Sequence, residues 1–383
     1  MADFFGKMKS TIVKSANSVA DESGKLVERG KIKAYIRKLE DQKKGLIITL
    51  GEKYYAFSKQ ESFNDEELRA ICTQIDALQA EIDTKTEEGE RLKSEYGKHT
   101  RLSPLAESWE LSCHKDGPST IVNGPDAGRT LAEYAARHPA CVGTRHTDGV
   151  FPVLIKLIDA ARPLSVQVHP DDAYAQRVEG EPGKTEMWYV VDAQPGAQLY
   201  YGFQRELTRE EAARRIADGT LTDVLNAVPV KAGDVFFIDA GTVHAIGAGI
   251  MLYEIQQSSD ITYRFYDWDR VDKNGNRREL HLQKALDVTD LTFSLDPIPA
   301  PNKPVARVLD EKYFTLDLVN VQGEAVLPAV TAFGLLTALD GDLTVRFAGG
   351  QLTLRKGESA YIPHTAPVLT LHGKGRAALS MPR

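Results

Sequence analysis

The sequence predicts a mainly β protein in which two related β-barrels carry one helical insertion and follow an N-terminal α-helical hairpin. Residues 1–96 contain no proline and are rich in Lys, Glu, Ala and Gln, a composition typical of helices. From about residue 101, short runs of Val, Ile, Phe and Tyr are bounded by Gly, Pro and Asp, which is typical of antiparallel sheets. A glycine-led pattern that occurs twice in this part suggests two related barrels.

The predicted hairpin rests on two apolar stripes at helical spacing. The stripes are Ile32, Ile36, Leu39, Leu46 and Leu50, and then Ile71, Ile75, Leu78 and Ile82. Asn64 with Glu67 three residues later indicates a helix N-terminus, so residues 57–65 form the expected connecting loop. Residues 1–50 hold 11 Lys/Arg and 6 Asp/Glu, whereas residues 51–100 hold 7 and 12. Antiparallel pairing would bring these opposite charges together.

The β part contains four runs that are the best predicted strands. They are residues 151–158, 186–191, 234–238 and 251–256. A helical insertion is predicted at 208–218, with Thr208 and Glu211 as a capping box. Four prolines within residues 296–304 suggest a linker.

Three domains follow from this organisation: a helical hairpin or coiled-coil extension at 1–96, a metal-binding domain at 97–300 and a second β domain at 301–383. The glycine-led pattern at 233–238 resembles the pattern at 357–362. Eleven residues after its glycine, the first copy has His244 and the second has Val368. A bound metal is therefore expected in the first β domain, and the C-terminal domain is expected to lack metal ligands.

Composition excludes several classes of protein. A formal charge of −7 gives no general attraction to nucleic acid, whose phosphates favour concentrated positive charge. The sequence has neither a secretory signal nor an apolar run of about 20 residues that could span a membrane, so a cytoplasmic protein is expected. The three cysteines are widely spaced and make neither a CxxC metal pair nor a disulfide framework.

Four residues suit a metal site. Strand alternation sends Gln167 and His169 to one face, Glu186 begins a predicted strand, and His244 follows a Gly-Thr turn. Two imidazoles, one carboxylate and one amide oxygen suit a borderline divalent ion such as zinc and leave room for water or a sugar oxygen.

The same residues lie in motifs that resemble the type I mannose-6-phosphate isomerases, particularly their short bacterial branch. The motifs are SVQVHP at 165–170, GKTEMWY at 183–189, GTVHAIG at 241–247 and TYRFYD at 262–267. The segments at 107–110 and 278–281 resemble flanking segments of that family, and the resemblance covers roughly residues 104–383. The family's usual Trp-Gly-Gly opening segment is absent, and the helical unit stands in its place.

This resemblance implies two cupin-type jelly-roll barrels and a zinc ion held by the residues matching Gln167, His169, Glu186 and His244. It also implies that Arg264 is catalytic and that the reaction interconverts mannose 6-phosphate and fructose 6-phosphate.

The candidate metal ligands and the family resemblance together predict a mechanism. Isomerisation moves a proton between C1 and C2 through a cis-enediolate, whose negative charge zinc would stabilise and Arg264 would offset. Lys184, Glu254 and Asp260 are the candidates for proton transfer, and the sequence does not choose among them. Ser165, two residues before Gln167, is a candidate for phosphate contact.

Two other functions stay open. One is a different metal cupin enzyme, acting on another sugar phosphate or using iron to activate oxygen, although such oxygenases more commonly show His-x-His than Gln-x-His. The other is a non-catalytic sugar-binding scaffold whose hairpin binds a partner. The region 1–96 could mediate self-association or bind a protein partner in either case.

Overall fold

A computed structural model describes residues 35, 37–52, 69–79, 91–100, 105–143, 151–268, 270, 276–292, 298 and 303–383. Contacts between backbones divide the chain into two compact units. One unit includes residues 95–99 and 106–383, and the other lies within residues 11–94 and 100–105.

The smaller unit is helical at residues 37–52, at 69–79 and at Arg91–Ser94. The expected apolar stripes are confirmed where they are described, because their side chains are buried or partly buried among exposed neighbours. These residues are Leu39, Leu46, Leu50, Ile71, Ile75 and Leu78. Lys43 Nζ donates a hydrogen bond to Gln79 Oε1 at 2.5 Å and so joins the first two helical segments. The connecting loop at 57–65 lies outside the described residues, and the hairpin itself stays a prediction.

The larger unit is mainly β, as expected. In chain order its strands are β1 (Glu107–Leu111), β2 (Val153–Ala160), β3 (Val166–Val168), β4 (Glu186–Ala193), β5 (Gln198–Phe203), β6 (Leu225–Pro229), β7 (Val235–Ile238), β8 (His244–Ala245), β9 (Ile250–Gln257), β10 (Tyr263–Tyr266), β11 (Val305–Asp310), β12 (Phe314–Val326), β13 (Gly334–Asp340), β14 (Leu343–Phe347), β15 (Gly350–Leu354), β16 (Ser359–Ile362) and β17 (Thr370–Pro382). Its helices are Leu131–Arg137, Asp172–Val178, Arg209–Ala217 and Leu282–Val288, with 3₁₀ turns at Pro139–Val142 and Leu221–Val224. Among the described helices, none has the length and apolar character needed to cross a bilayer.

Two five-stranded antiparallel sheets share one apolar core. The first sheet has the order β1-β2-β9-β4-β7, and the second has the order β10-β3-β8-β5-β6. Trp188 and Leu252 of the first sheet pack with Leu199, Tyr201 and Ile246 from the side of the second. The inward faces of these two sheets therefore form the space in which polar residues of both can meet.

The outward face of the second sheet is covered by helical segments. Val168 and Phe265 point to this side and pack with Leu221 and Ala285 in a second apolar cluster. Alternation along β3 and β10 accounts for the arrangement, because residues between these apolar positions must face inward.

A third antiparallel sheet forms the C-terminal part, with the order β11-β12-β17-β13-β16 and with β14 paired to β15 and β17. It packs on the first sheet, as two hydrogen bonds show. Tyr253 OH lies 2.8 Å from Ser380 Oγ, and Arg376 Nη1 donates to Tyr189 OH at 3.1 Å. The first sheet is thus covered on both faces, and every residue of β2 and β9 is buried.

The predicted strands and the helical insertion are confirmed to within about two residues. β7 and β16 also occupy corresponding places, each at the end of its sheet order and each preceded by a positive-φ glycine, Gly233 at 99° and Gly357 at 86°. Ile298 pairs with Val235, but most of the proline-rich segment 296–304 lies outside the described residues. The two-barrel description and the domain boundaries at 96 and 300 stay predictions.

Candidate metal centre and active site

Three of the four candidate metal ligands converge between the first two sheets. His169 directly follows β3, Glu186 begins β4 and His244 begins β8, and all three are buried. His169 Nε2 lies 3.4 Å from Glu186 Oε2, and His244 Nε2 lies 3.4 Å from Glu186 Oε1. One potential ligand atom from each residue lies within 4.8 Å of the others, which is close enough for a single cation to contact all three.

Backbone carbonyls fix the tautomer of both imidazoles. His169 Nδ1 lies 2.9 Å from Ile261 O, and His244 Nδ1 lies 2.8 Å from Thr242 O. Because a carbonyl oxygen only accepts, each Nδ1 carries the hydrogen and each Nε2 presents a lone pair toward Glu186. Metal-binding histidines are commonly oriented by this kind of hydrogen bond.

The facing atoms lack partners of their own. Both Nε2 atoms and both Glu186 oxygens are buried without a hydrogen bond from any part of the chain that the structure describes. Lys184 Nζ approaches Glu186 Oε2 to 3.0 Å as an ion pair, but without hydrogen-bond geometry. Buried polar atoms left in this state cost free energy, and a divalent cation bound between them would remove that cost. The residues therefore fit a metal ion.

The protonation states also suit a metal ion. Burial, assisted by the positive charge of Lys184, lowers the pKa of His169 to about 3. Burial likewise lowers the pKa of His244. Burial alone would raise the pKa of Glu186, but the positive charge of Lys184 holds it well below its usual range. Near neutral pH the site thus offers two neutral imidazoles and one carboxylate, the forms that bind metals.

Gln167, the fourth candidate, lies beside this group on the second sheet. It is half-buried and stands directly opposite His244 on β8 and Arg264 on β10. Residues opposite one another in antiparallel strands share a face, so Gln167 faces inward while Val166 and Val168 pack outward. Its register agrees with the sequence prediction, and its role as a ligand stays a proposal.

Glu254, a candidate for proton transfer, is buried on the inward face of β9. Trp188 Nε1 donates to Glu254 Oε2 at 2.9 Å, whereas Glu254 Oε1 has no hydrogen-bond partner among the described residues. Burial, with the negative charge of Glu186, raises the pKa of Glu254 to about 7, although Lys156 opposes the shift. A carboxyl group in this state can accept or release a proton near neutral pH.

Lys156 and Gln256 are inward-facing residues that the sequence analysis missed. Lys156 Nζ lies 3.6 Å from Glu254 Oε1 and 3.6 Å from Glu107 Oε2. Gln256 stands opposite Glu186 in the neighbouring strand. Its Nε2 donates to Gln257 O at 2.9 Å and to Ser259 O at 2.6 Å. Its buried Oε1 has no hydrogen-bond partner among the described residues. The available signal was the presence of a few polar residues within two otherwise apolar runs, at β2 and β9.

Arg264 lies next to a group of arginines. Arg278 Nε donates to Asp267 Oδ2 at 2.7 Å, and Arg270 also donates to this carboxylate. Burial and the positive charge of Arg278 lower the pKa of Arg264, whose buried Nε has no hydrogen-bond partner within the described ranges. Arg270 and Arg278 thus bind the Asp267 carboxylate, and Arg264 lies close enough to these groups for their charges to affect it. We call Arg264, Arg270 and Arg278 the arginine group.

The remaining candidates lie in different surroundings. Ser165 is buried immediately before β3, and the carbonyl of the preceding Leu164 accepts a hydrogen bond from Trp268 Nε1 at 2.7 Å. Arg270 Nη1 donates to Pro163 O at 2.9 Å, so the segment before β3 adjoins the arginine group. Asp260 is exposed, and the structure does not bring it into the buried group.

Comparison with known proteins was made with both the sequence and the fold. The family model described as "Phosphomannose isomerase type I, catalytic domain" matches residues 82–192, and "Mannose-6-phosphate isomerase, cupin domain" matches residues 306–382. A mannose-6-phosphate isomerase from Streptococcus mutans is 38% identical over 292 residues, which cover 75% of this chain and 92% of the relative. One from Bacillus subtilis is 37% identical over 282 residues, covering 72% and 88%.

The crystal structure of the mannose 6-phosphate isomerase from Bacillus subtilis is similar, with a TM-score of 0.70 and 32% identity over 76% of this chain and 94% of that one. A mannose 6-phosphate isomerase structure described as holo and zinc bound has a TM-score of 0.63 at 18% identity, over 76% and 95%. At that identity the second likeness shows a shared fold.

Proposed function

The chain belongs to the type I mannose-6-phosphate isomerase family, and on that premise we propose that it interconverts mannose 6-phosphate and fructose 6-phosphate. The strongest support for this activity within the structure is one group of side chains. His169, Glu186 and His244 come together from three segments of the chain, with their potential ligand atoms buried and without hydrogen-bond partners among the described residues. A scaffold that only bound sugar would not need such a costly arrangement.

Zinc is the proposed ion, because two imidazoles and a carboxylate are its usual ligands at catalytic sites. Gln167 is the proposed fourth protein ligand, since it lies opposite His244 on the same face. When bound, zinc would supply the positive charge that stabilises the negative oxygens of a cis-enediolate.

Glu254 is the proposed group for proton transfer between C1 and C2. Its Oε1 lies in the buried inter-sheet space and accepts no hydrogen bond from the described residues, and its pKa of about 7 lets the carboxyl exist in both protonation states at neutral pH. Lys184 is the second candidate, because its Nζ lies 3.0 Å from Glu186. Asp260 is less suited because it is exposed.

The arginine group is the proposed site for the phosphate. Guanidinium groups bind phosphate through paired charge-assisted hydrogen bonds. Arg270 and Arg278 donate to the Asp267 carboxylate, whereas Arg264 Nε has no hydrogen-bond partner among the described residues. Ser165 adjoins this group and is a further candidate for phosphate contact. Arg264, opposite Gln167, would face both the phosphate end and the reacting end of the sugar.

A His244→Ala variant tests the proposal. It removes one Nε2 from the centre, so both bound zinc and isomerase activity should be lost. Zinc would be measured by elemental analysis of the purified protein and activity by a coupled assay with mannose 6-phosphate. A variant that retained full activity would rule out the metal-dependent mechanism. Assay of the wild type with other sugar phosphates would separate this activity from that of a related metal enzyme.

A further inference from the structure

The residues immediately before Glu186, at 183–185, are held by hydrogen bonds that are not part of a β ladder. β4 begins only at Glu186, yet each backbone N–H of these three residues donates to a partner elsewhere. The bonds are Gly183 N to Asp172 Oδ1 at 3.0 Å, Lys184 N to Pro170 O at 2.9 Å and Thr185 N to Gln257 Oε1 at 2.9 Å. We call residues 183–185 the approach segment.

The approach segment also packs too closely on its support to move freely. A Cβ added at Gly183 would lie 2.5 Å from Asp171 C and 2.5 Å from Asp172 N. Only glycine can therefore bring the segment this close to the turn that begins the helix Asp172–Val178. Lys184, which follows, is held where its Nζ meets Glu186.

Asp172 joins three separate parts of the chain. Its Oδ1 accepts from Gly183 N and from Gln257 Nε2 at 2.9 Å, and its Oδ2 accepts from Tyr313 OH at 2.7 Å. Gln257 in turn accepts from Thr185 N, so Asp172 supports the approach segment at both ends. Because Asp172 itself is only partly buried, these hydrogen bonds rather than packing hold its carboxylate in place.

Tyr313 belongs to the C-terminal part of the chain, which forms the third sheet. It lies in the turn between β11 and β12, in a part of the chain that contributes no residue to the buried metal group. The backbone carbonyl of Tyr313 accepts from Arg383 N at 3.0 Å, and the Lys312 ammonium stands 4.4 Å from its ring centre. The C-terminal sheet thus holds the tyrosine that meets Asp172.

We propose that Asp172 and Tyr313 are positioning residues that hold the approach segment, so that Lys184 keeps its place against Glu186. The C-terminal sheet, which contributes no residue to the buried group of His169, Glu186 and His244, then acts as a support of the active site. The consequence for turnover rests on the proposed isomerase function. The consequence for the approach segment does not, since it concerns hydrogen bonds that exist without substrate.

Amide hydrogen exchange measures the support directly. Asp172→Ala removes three acceptor contacts, so exchange at Gly183 and Thr185 should rise about tenfold or more in the purified protein. Asp172→Asn should restore protection to within about threefold of wild type, because its amide oxygen can accept from Gly183 while its NH₂ donates to the Tyr313 hydroxyl. Tyr313→Phe, the milder change, should give an intermediate increase.

Steady-state kinetics of the zinc-loaded enzyme measure the consequence. Asp172→Ala should lower kcat about tenfold while KM changes less than about threefold, since residues that orient a metal site from outside commonly act on this scale. Asp172→Asn should recover most of kcat. A general loss of folded protein would instead lower the active fraction of both variants together.

Tyr253→Phe is the matched control. It also removes one phenolic hydroxyl that bonds across the contact between the first and C-terminal sheets, but its partner is Ser380 and not the approach segment. It should lower the temperature of unfolding and leave kcat and exchange at Gly183 unchanged.

Wild-type exchange and wild-type kcat in Asp172→Ala would overturn the proposal. So would increased exchange without any change in kcat, or equal effects from Tyr253→Phe. A wild-type protein without isomerase activity would refute the proposed function, while the exchange experiment would still decide whether Asp172 and Tyr313 hold the approach segment.

Discussion

His169 and His244 each use one ring nitrogen for a backbone carbonyl and turn the other toward Glu186. Burial lowers the pKa of both imidazoles, so their lone pairs stay available at neutral pH. The same burial would favour protonation of Glu186 if the positive charge of Lys184 did not counter it. The residues of the centre therefore depend on one another, and a change at one alters the charge state of the others.

Glu254→Gln tests the proton-transfer role. The amide keeps the size of the side chain but cannot accept a proton at neutral pH, so kcat should fall about 10²-fold to 10⁴-fold. Zinc content should stay equal to that of wild type, because Glu254 is not a proposed ligand. Steady-state kinetics and elemental analysis would check both.

Glu107→Gln is the control for this change, because Glu107 is the other carboxylate 3.6 Å from Lys156 and is largely exposed. It should alter kcat by less than about threefold, as expected for an exposed ion pair. If Glu254→Gln kept the kcat of wild type, Glu254 would be excluded from proton transfer and Lys184 would be the remaining buried candidate for that role.

Arg278→Met tests the phosphate site. Removal of one charge-assisted phosphate contact costs about 1.5–3 kcal/mol, so KM for mannose 6-phosphate should rise about tenfold or more with little change in kcat. Arg209→Met removes an arginine that pairs with Asp287 outside the arginine group and should leave KM unchanged. A lower kcat at constant KM in Arg278→Met would argue against phosphate binding there.

Among individual residues, the sequence predicts those that converge at the candidate metal centre better than it predicts their surroundings. Alternation along β3 places Gln167 and His169 on one face without knowledge of the fold. Lys156 and Gln256 become site residues only through pairing of β2 and β4 with β9, whose paired residues lie up to about a hundred positions apart in the sequence. No local pattern reports such pairing.

Among the elements, β2 and β9 show how the fold explains the sequence. Both are predicted strands because their residues are mainly apolar, and both are buried on two faces because the second and third sheets cover them. Lys156 and Glu254 interrupt these runs opposite one another, so each supplies a partner for the other's buried charge. The polar interruptions lie on the inward face, where the site is.

The helix Arg209–Ala217 shows a limit of local rules. Thr208 Oγ1 accepts from Glu211 N at 3.1 Å, as the predicted capping box requires. The Glu211 carboxylate binds Arg205 and Arg215 instead of the N-cap backbone. A complete capping box occurs at Thr130 with the helix Leu131–Arg137. Competing arginines therefore decide where the glutamate binds.

Glu211→Gln should show a specific pH dependence of stability. Hydrogen bonds from Arg205 and then Arg215 lower the pKa of Glu211 to about 2 from a usual value of 4.5. A lowered carboxyl pKa stabilises the folded protein above pH 4.5, and this contribution is lost as the pH falls toward 2. Wild type should therefore be more stable than the variant near neutral pH, and the difference should shrink on acidification.

Denaturant unfolding between pH 7 and pH 3 would measure this difference. Glu210→Gln changes the adjacent glutamate of the same helix and serves as the control. A gap between wild type and Glu211→Gln that stayed constant across this range would exclude the proposed effect of the arginines.

For the whole molecule, the mainly β class and the helical N-terminal region follow from composition and spacing. The order of strands in the three sheets does not, since it depends on contacts between distant segments. The likeness of β7 to β16 agrees with two related β parts, while the two-barrel description stays a prediction. A role for residues 1–96 in self-association or partner binding also stays a prediction.

Anomalous diffraction at the zinc absorption edge, from crystals of the purified protein, tests the central claim most directly. The account predicts one strong peak within about 2.0–2.2 Å of His169 Nε2, His244 Nε2 and a Glu186 oxygen. A zinc peak elsewhere, or a structure in which these three side chains are apart, would contradict it.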